Sequence, residues 1–170
     1  MPEEDNLPSD KGVDYRQLRD LLKAQQWQEA ELETYRRMLE VAGRESRFRL
    51  EDLQNFSRTD LRAIDRLWVK YSNGHFGFSV QKQIWLDLGG TLDRCDSNIA
   101  KTFIRRVGWY AEKSLDYPDW LDYPDEFTLS LAAPQGHLPA TGWGWWWYHR
   151  GYFIQTSEGI WWGGVLFSLL

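Results

Sequence analysis

A single all-α domain is what this sequence predicts, on three observations. Apolar residues recur at three- and four-residue spacing from Tyr15 to Val107, the period of a helix with one buried face. Turn-forming residues, among them Gly43, Asn73-Gly74 and Gly89-Gly90, fall between those stripes. A chain of 170 residues fits one domain with a real core. Domains of this size hide roughly 70% of the surface their unfolded chains expose. The domain is expected over residues 13–170, after an acidic, Pro-containing leader, residues 1–12, expected to be disordered.

Taken in order, Tyr15, Leu18, Leu21 and Leu22 define the first helix, with Asp14 placed to cap it or to sit in its first turn. Gln25-Gln26 breaks the pattern. Trp27, Ala30, Thr34, Met38 and Ala42 then form one stripe of a second helix that ends at Gly43, so the two make a hairpin. No second copy of this unit appears at the spacing of helical repeats, which argues against a solenoid. A charged connector, Arg44 to Arg49, leads to Leu50, Leu53 and Phe56, enough for one short turn of helix. Ser57 and Asp60 have capping-box spacing, and Leu61, Ile64, Trp68 and Tyr71 follow on one face. Arg62, Asp65, Arg66 and Lys70 are read as the opposite, wet face.

The stretch Ser72 to Gln81 is the joint of the chain. Asn73-Gly74 enters the left-handed region readily and stops the helix. Phe76 and Phe78 flank Gly77, which permits close backbone approach, and Ser79 is read as the cap of a helix through Val80, Ile84, Trp85 and Leu88. Asn73, Gly74, Phe76, Gly77 and Phe78 together are read as a structural corner. Ile99, Phe103 and Val107 mark a further helix. Periodicity then lapses: Asp116-Tyr117-Pro118-Asp119 and Asp122-Tyr123-Pro124-Asp125 repeat a loop signature, because the residue before a proline disfavours helix. Thr128 to Ala132 is read as a short extended piece, Pro134 to Pro139 as a stiff loop, and Val165 to Leu170 as a last short helix.

Composition narrows the function. With net charge −5 and a pI near 5.2, the chain advertises no broad basic face for nucleic acid. Cys95 is alone, which removes internal disulfides and fits a reducing cytoplasm. No run of 18 apolar residues suggests a membrane span, and the first residues match neither a signal nor a transit peptide. His75, His137 and His149 lack metal-ligand spacing, and no nucleophile elbow, phosphate loop or dinucleotide fingerprint is present, so neither a metal nor catalysis is expected. What stands out is 11 Trp in an aromatic fraction of 16%. Such residues are material for flat surfaces that hold planar ligands.

Asp60-Leu61, Ile64 to Trp68, the Ser72 to Gln81 run and Ala133-Pro134-Gln135-Gly136-His137-Leu138-Pro139 closely resemble the genomes-uncoupled family, the tetrapyrrole-binding regulators of magnesium chelatase. The likeness runs from about Val13 to Pro139. It implies an all-helical, non-enzymatic protein shaped like a cupped hand, in the cyanobacterial and photosynthetic setting of chlorophyll biosynthesis regulation. The ligand implied is a non-covalent porphyrin, protoporphyrin IX or magnesium protoporphyrin, with an open-chain bilin as the alternative; the partner implied is the magnesium chelatase large subunit. A purely protein-interacting helical domain is the third reading. Carried over by residue, the palm falls at Tyr35, Leu50, Leu53 and Phe56, and the fingers at Trp120, Tyr123, Gln135, His137 and Leu138, with His137 read as a hydrogen-bonding loop residue rather than an axial ligand.

The chain also departs from the family pattern. Phe56 is followed by Ser57 where a proline is usual, the Arg44 to Arg49 connector is short, and Gly163 to Leu170 carries no basic residue to pair with ligand carboxylates. Arg47, Arg49, Lys113 and Arg150 are the remaining candidates for that pairing. Nine aromatics between Trp143 and Trp162 exceed what a core needs, and contact with a membrane surface or partner is favoured narrowly over a lid on the palm.

Overall fold

The computed structural model describes residues 5–46, 48–111, 119–120, 125–140 and 162–170, with backbone alone at 110, 111, 119, 120 and 162. The expectations for Arg47, Lys113, Tyr123, Arg150 and most of the aromatic 142–162 stretch therefore lie outside the described residues. Among the described residues the helices are, in order, α1 Arg16–Lys23, α2 Trp27–Ala42, α3 Leu50–Gln54, α4 Arg58–Tyr71, α5 Phe78–Asp87, α6 Ser97–Arg106 and α7 Trp162–Ser168. The all-α class holds, with one minor addition. Within the stretch read as loop, β1 Tyr110–Ala111 pairs antiparallel with β2 Asp119–Trp120.

The hairpin forms where the periodicity places it. Gln25 takes a positive φ of 56° at the break. The α2 stop uses Gly43 in the left-handed conformation, its N–H on the Glu40 carbonyl. Asp14 precedes α1 and accepts the Arg16 N–H at 2.9 Å. Trp68 of α4, fully buried, stacks on Trp27 with ring centroids 6.0 Å apart, and Phe76 meets Trp27 edge-on at 5.4 Å. Both are arrangements that aromatic pairs prefer. Thr34 explains its place on an apolar stripe: its hydroxyl accepts the Trp68 indole N–H at 2.9 Å and donates to the Ala30 carbonyl at 2.7 Å. Each buried polar group there has a partner. The core thus forms where α2, α4 and the corner converge.

Four expectations are corrected. Residues 5–12, read as part of a disordered leader, run against α4. There Asp60 collects the Ser9 hydroxyl, the Asp10 N–H and the Tyr15 hydroxyl, while Asp5 takes Lys70 and Tyr71. Burial would raise the Asp60 carboxyl, yet hydrogen bonds from Ser57, Ser9 and Tyr15 hold it below the usual value. Asp65 is not on the wet face: it is buried, and its Oδ1 accepts the Ser79 N–H at 2.8 Å. Ser79 therefore does not cap α5. The helix starts at Phe78 after Gly77, and a carboxylate on the preceding helix takes the free N–H instead. Finally, Thr128 to Ala132 is not an extended piece, since the chain turns at Ser130, whose carbonyl accepts the Ala133 N–H at 3.1 Å.

Candidate functional site

The corner is one half of a larger junction, the other half being the Ala133 to Ala140 loop. Gly77 holds a φ of 139°, and a Cβ there would lie 2.7 Å from Val69 Cγ2 and 3.0 Å from Asp65 Oδ1. Only glycine fits. Its N–H donates to the Leu138 carbonyl at 3.0 Å. Gly136, at φ 76°, lies so close to Ile84 that a Cβ would come within 2.8 Å of Cδ1. From the corner, His75 bonds the loop twice, its Nε2 on the Ala133 carbonyl at 2.7 Å and its carbonyl accepting the Gly136 N–H at 2.9 Å. Trp109 Nε1 donates to the His137 carbonyl at 2.8 Å, and Ala140 N–H donates to Glu31 Oε1 at 2.7 Å. From α5, the Gln81 amide donates to the carbonyls of Gly136 at 3.0 Å and Pro139 at 2.9 Å. The buried carbonyls of Gly136, His137, Leu138 and Pro139 thus each have a donor, as burial demands.

These contacts fix where the loop side chains lie. Leu138 is fully buried in the core, and His137 is 1% exposed. His137 Nδ1 faces the Val107 carbonyl at 2.7 Å. A carbonyl can only accept, so that nitrogen carries the proton. Its Nε2 is buried with no partner among the described atoms, and the ring lies 4.7 Å from Phe127. Burial pushes the imidazole below its ordinary value, against the opposing pull of the Val107 bond. His137 is a hydrogen-bonding loop residue. Gln135 is the exposed member of the predicted finger, with a long contact of 3.4 Å to the Gly74 carbonyl.

The predicted palm lies along α2, the connector and α3. Tyr35 and Leu50 are half-buried, and Tyr35 donates its hydroxyl to the Ser46 carbonyl at 3.2 Å. Leu53 and Phe56 are buried, with Phe56 5.8 Å from Phe48, an aromatic the sequence reading passed over. Asp52 fixes this segment by accepting the Arg49 N–H at 2.7 Å and the Arg44 guanidinium at 2.9 Å. Arg49 is exposed and 3.5 Å from Glu51, and it is the one predicted carboxylate-pairing residue whose side chain is described. Trp120 sits in β2. The α7 helix packs on both α3 and α5, which ties the palm to the junction.

Gln81 and Glu31 had no assigned role in the sequence reading. The available signal was a polar residue on a buried stripe: Gln81 lies one turn before Ile84 and Trp85. An open depression of about 480 Å³ lies beside α1, with Asp5, Ser9, Asp14, Tyr15, Arg16 and Arg19 in its wall. None of the expected ligand residues lines it, and its charges are paired: Asp14 with Arg16, Arg19 with Asp20, Asp5 with Lys70. Among the described residues no cluster of three or more His, Cys, Asp or Glu is arranged to hold a metal ion, and no helix is long and apolar enough to cross a membrane.

Hairpin, aromatic corner and pinned loop define a non-repeating all-α domain. The model of the family described as GUN4-like matches residues 8–153, and the chain belongs to that family. It is 34% identical over 140 residues to the Ycf53-like protein of Synechocystis, covering 78% of this chain and 53% of that one. It is 35% identical over 127 residues to the Tetrapyrrole-binding protein, chloroplastic, of Arabidopsis thaliana, covering 69% of this chain and 44% of that one. The chain thus spans about half the length of these relatives. Among solved structures it is similar to GUN4 from Chlamydomonas reinhardtii, with a TM-score of 0.65 at 30% identity over 96% of this chain and 92% of that one. It is also similar to ligand-free GUN4 of Arabidopsis thaliana, with a TM-score of 0.63 at 26% identity over 93% of this chain and 95% of that one.

Proposed function

We propose that this chain binds a tetrapyrrole non-covalently, a porphyrin such as protoporphyrin IX or magnesium protoporphyrin, and acts without catalysis as a regulator of magnesium chelatase. The observation that carries this reading is the family match across residues 8–153, together with 35% identity to an Arabidopsis relative named for tetrapyrrole binding. The local chemistry supports it. Tyr35 and Leu50 are half-buried, and Phe48, Leu53 and Phe56 are buried, with the Phe48 and Phe56 rings 5.8 Å apart. A flat macrocycle laid there would remove roughly 400 Å² of apolar surface from water, and at about 25 cal/mol/Å² that is a gross gain of about 10 kcal/mol. The costs of association take up a large part of that gain. Arg49, exposed just before α3, is the described candidate to meet a ligand carboxylate.

Titration with protoporphyrin and, separately, with biliverdin tests the reading by absorbance shift and Trp fluorescence. Saturable quenching by protoporphyrin at micromolar concentration is expected. Saturation by biliverdin alone moves the assignment to an open-chain bilin, and unchanged emission with both ligands up to tens of micromolar removes tetrapyrrole binding altogether.

A further inference from the structure

We infer that the outer face of α4 is a docking surface for an acidic segment of a partner protein, met by Arg58, Arg62 and Arg66. This goes beyond tetrapyrrole binding and does not depend on it. The exposed residues of α4 are all cations: Arg58, Arg62, Arg66 and Lys70. The first three stand at four-residue spacing, so they follow one another along one side of the helix over about 12 Å. Arg66 Nε donates to the Arg62 carbonyl at 3.3 Å, and Arg62 reaches the Leu170 carbonyl at 3.4 Å. Lys70 takes Asp5, but among the described residues no carboxylate side chain forms an ion pair with Arg58, Arg62 or Arg66.

The fold leaves this stripe uncompensated. The two acids of α4 are both buried and committed elsewhere, Asp60 to the Ser9 and Tyr15 hydroxyls and Asp65 to the Ser79 N–H. The α7 helix, whose end meets Arg62, carries no charged side chain. Like charges four residues apart repel and weaken a helix, so the row does not serve α4 itself. Carboxylates brought by a partner would relieve that repulsion, and the guanidinium fork binds them two bonds at a time. The shape of the charge favours a narrow occupant. The net charge of −5 already counts these three cations, so the rest of the chain carries a larger negative excess. A nucleic acid or an anionic bilayer is broad and would be repelled by that remainder, whereas an acidic segment meets the stripe alone. Nor does α4 expose an apolar side chain to enter a bilayer.

The test uses the full chain and a helical peptide with Glu at i, i+4 and i+8 on one face, beside the same peptide with Gln at those positions. Two triple variants accompany it: Arg58→Gln, Arg62→Gln and Arg66→Gln together, and the same three changed to Lys. The Glu peptide is expected to bind the unsubstituted chain at low salt, and the Gln peptide is not. Binding should weaken about tenfold in the Gln variant and also when salt is raised from about 50 to about 500 mM. The Lys variant, which keeps the charge and loses the fork, should fall between. The melting temperature of the Gln variant should stay level or rise, because like-charge repulsion has been removed. No binding of the Glu peptide, or equal binding by the Gln variant, overturns the inference. A lower melting temperature in that variant also overturns it, since the arginines would then serve the fold. Phosphatidylserine vesicles, a single-stranded oligonucleotide and sedimentation of the chain alone are run in parallel. If vesicle binding, oligonucleotide binding or self-association is stronger than peptide binding and is lost in the Gln variant, the stripe belongs to lipid, nucleic acid or a second copy, and the acidic segment is overturned as its occupant.

Discussion

The corner–loop junction and the palm are built on opposite principles. At the junction, Phe76, Phe78, Gln81, His137 and Leu138 are almost wholly buried, and groups distant in sequence satisfy one another: Gly77 with Leu138, His75 with Gly136, Glu31 with Ala140. Along the palm the polar contacts are short-range and near the surface, Arg44 to Asp52 and Tyr35 to Ser46, and two of the four predicted ligand residues stay only half-buried. Buried long-range contacts are concentrated in one region, while two apolar or aromatic side chains of the other stay partly exposed. Open apolar area that folding does not claim is what a planar ligand can use.

Phe78→Ala should break this division most visibly. The Phe78 side chain is fully buried. Truncating such a residue removes about 3–5 kcal/mol of stability. Denaturant unfolding should show that loss, while the fraction still folded at low temperature keeps its protoporphyrin affinity; a native midpoint with lost binding would reverse the roles given to the two regions. Gly77→Ala comes next, at about 1–3 kcal/mol, because a strained backbone conformation is added to a steric clash. The clash is with Val69. Thermal melts of Gly77→Ala and of Gly12→Ala, where φ is also positive but nothing lies within 4 Å, separate the steric part from the conformational part.

A pH series sharpens the comparison further. His137 has a folded-state value below its ordinary 6.5, so on acidification the unfolded chain takes up a proton that the folded chain refuses. Stability should therefore fall as the pH drops below about 6.5, by at most about 1.4 kcal/mol per pH unit until the lowered folded value is reached. His137→Asn, whose amide can still donate to the Val107 carbonyl, should flatten that part of the profile; an identical slope in both proteins would show that His137 titrates freely. Asp60 acts at lower pH: its depressed carboxyl gives stability that is present above about 4 and lost as pH falls through the folded value.

The smallest effect on stability belongs to the palm. Arg44→Ala removes a partly exposed ion pair to Asp52. It should cost no more than about 1 kcal/mol. Leu50→Ala, at a half-buried position, should likewise leave the melting temperature within a few degrees while raising the protoporphyrin Kd severalfold. If it costs as much as Phe78→Ala, the palm is core and not a binding surface.

The helices were readable from the sequence because their causes are local. The Trp27, Ala30, Thr34, Met38 stripe, the stop at Gly43 and the turn at Asn73-Gly74 each follow from side chains a turn apart or from backbone freedom at one residue. Part of the palm was readable only by likeness to a family, since half-buried Tyr35 and Leu50 carry no periodic signature of their own. Tertiary structure alone decided which polar residues were buried. Asp65 looks like surface on a helical wheel, and it becomes a cap because α5 starts beside it; Asp60 gathers the 5–12 segment, and Gln81 and Glu31 hold a loop more than fifty residues away. A sequence states which groups can donate and accept, but a buried hydrogen bond is set by which distant backbone atom is left without a partner, and that is known only once the chain has folded.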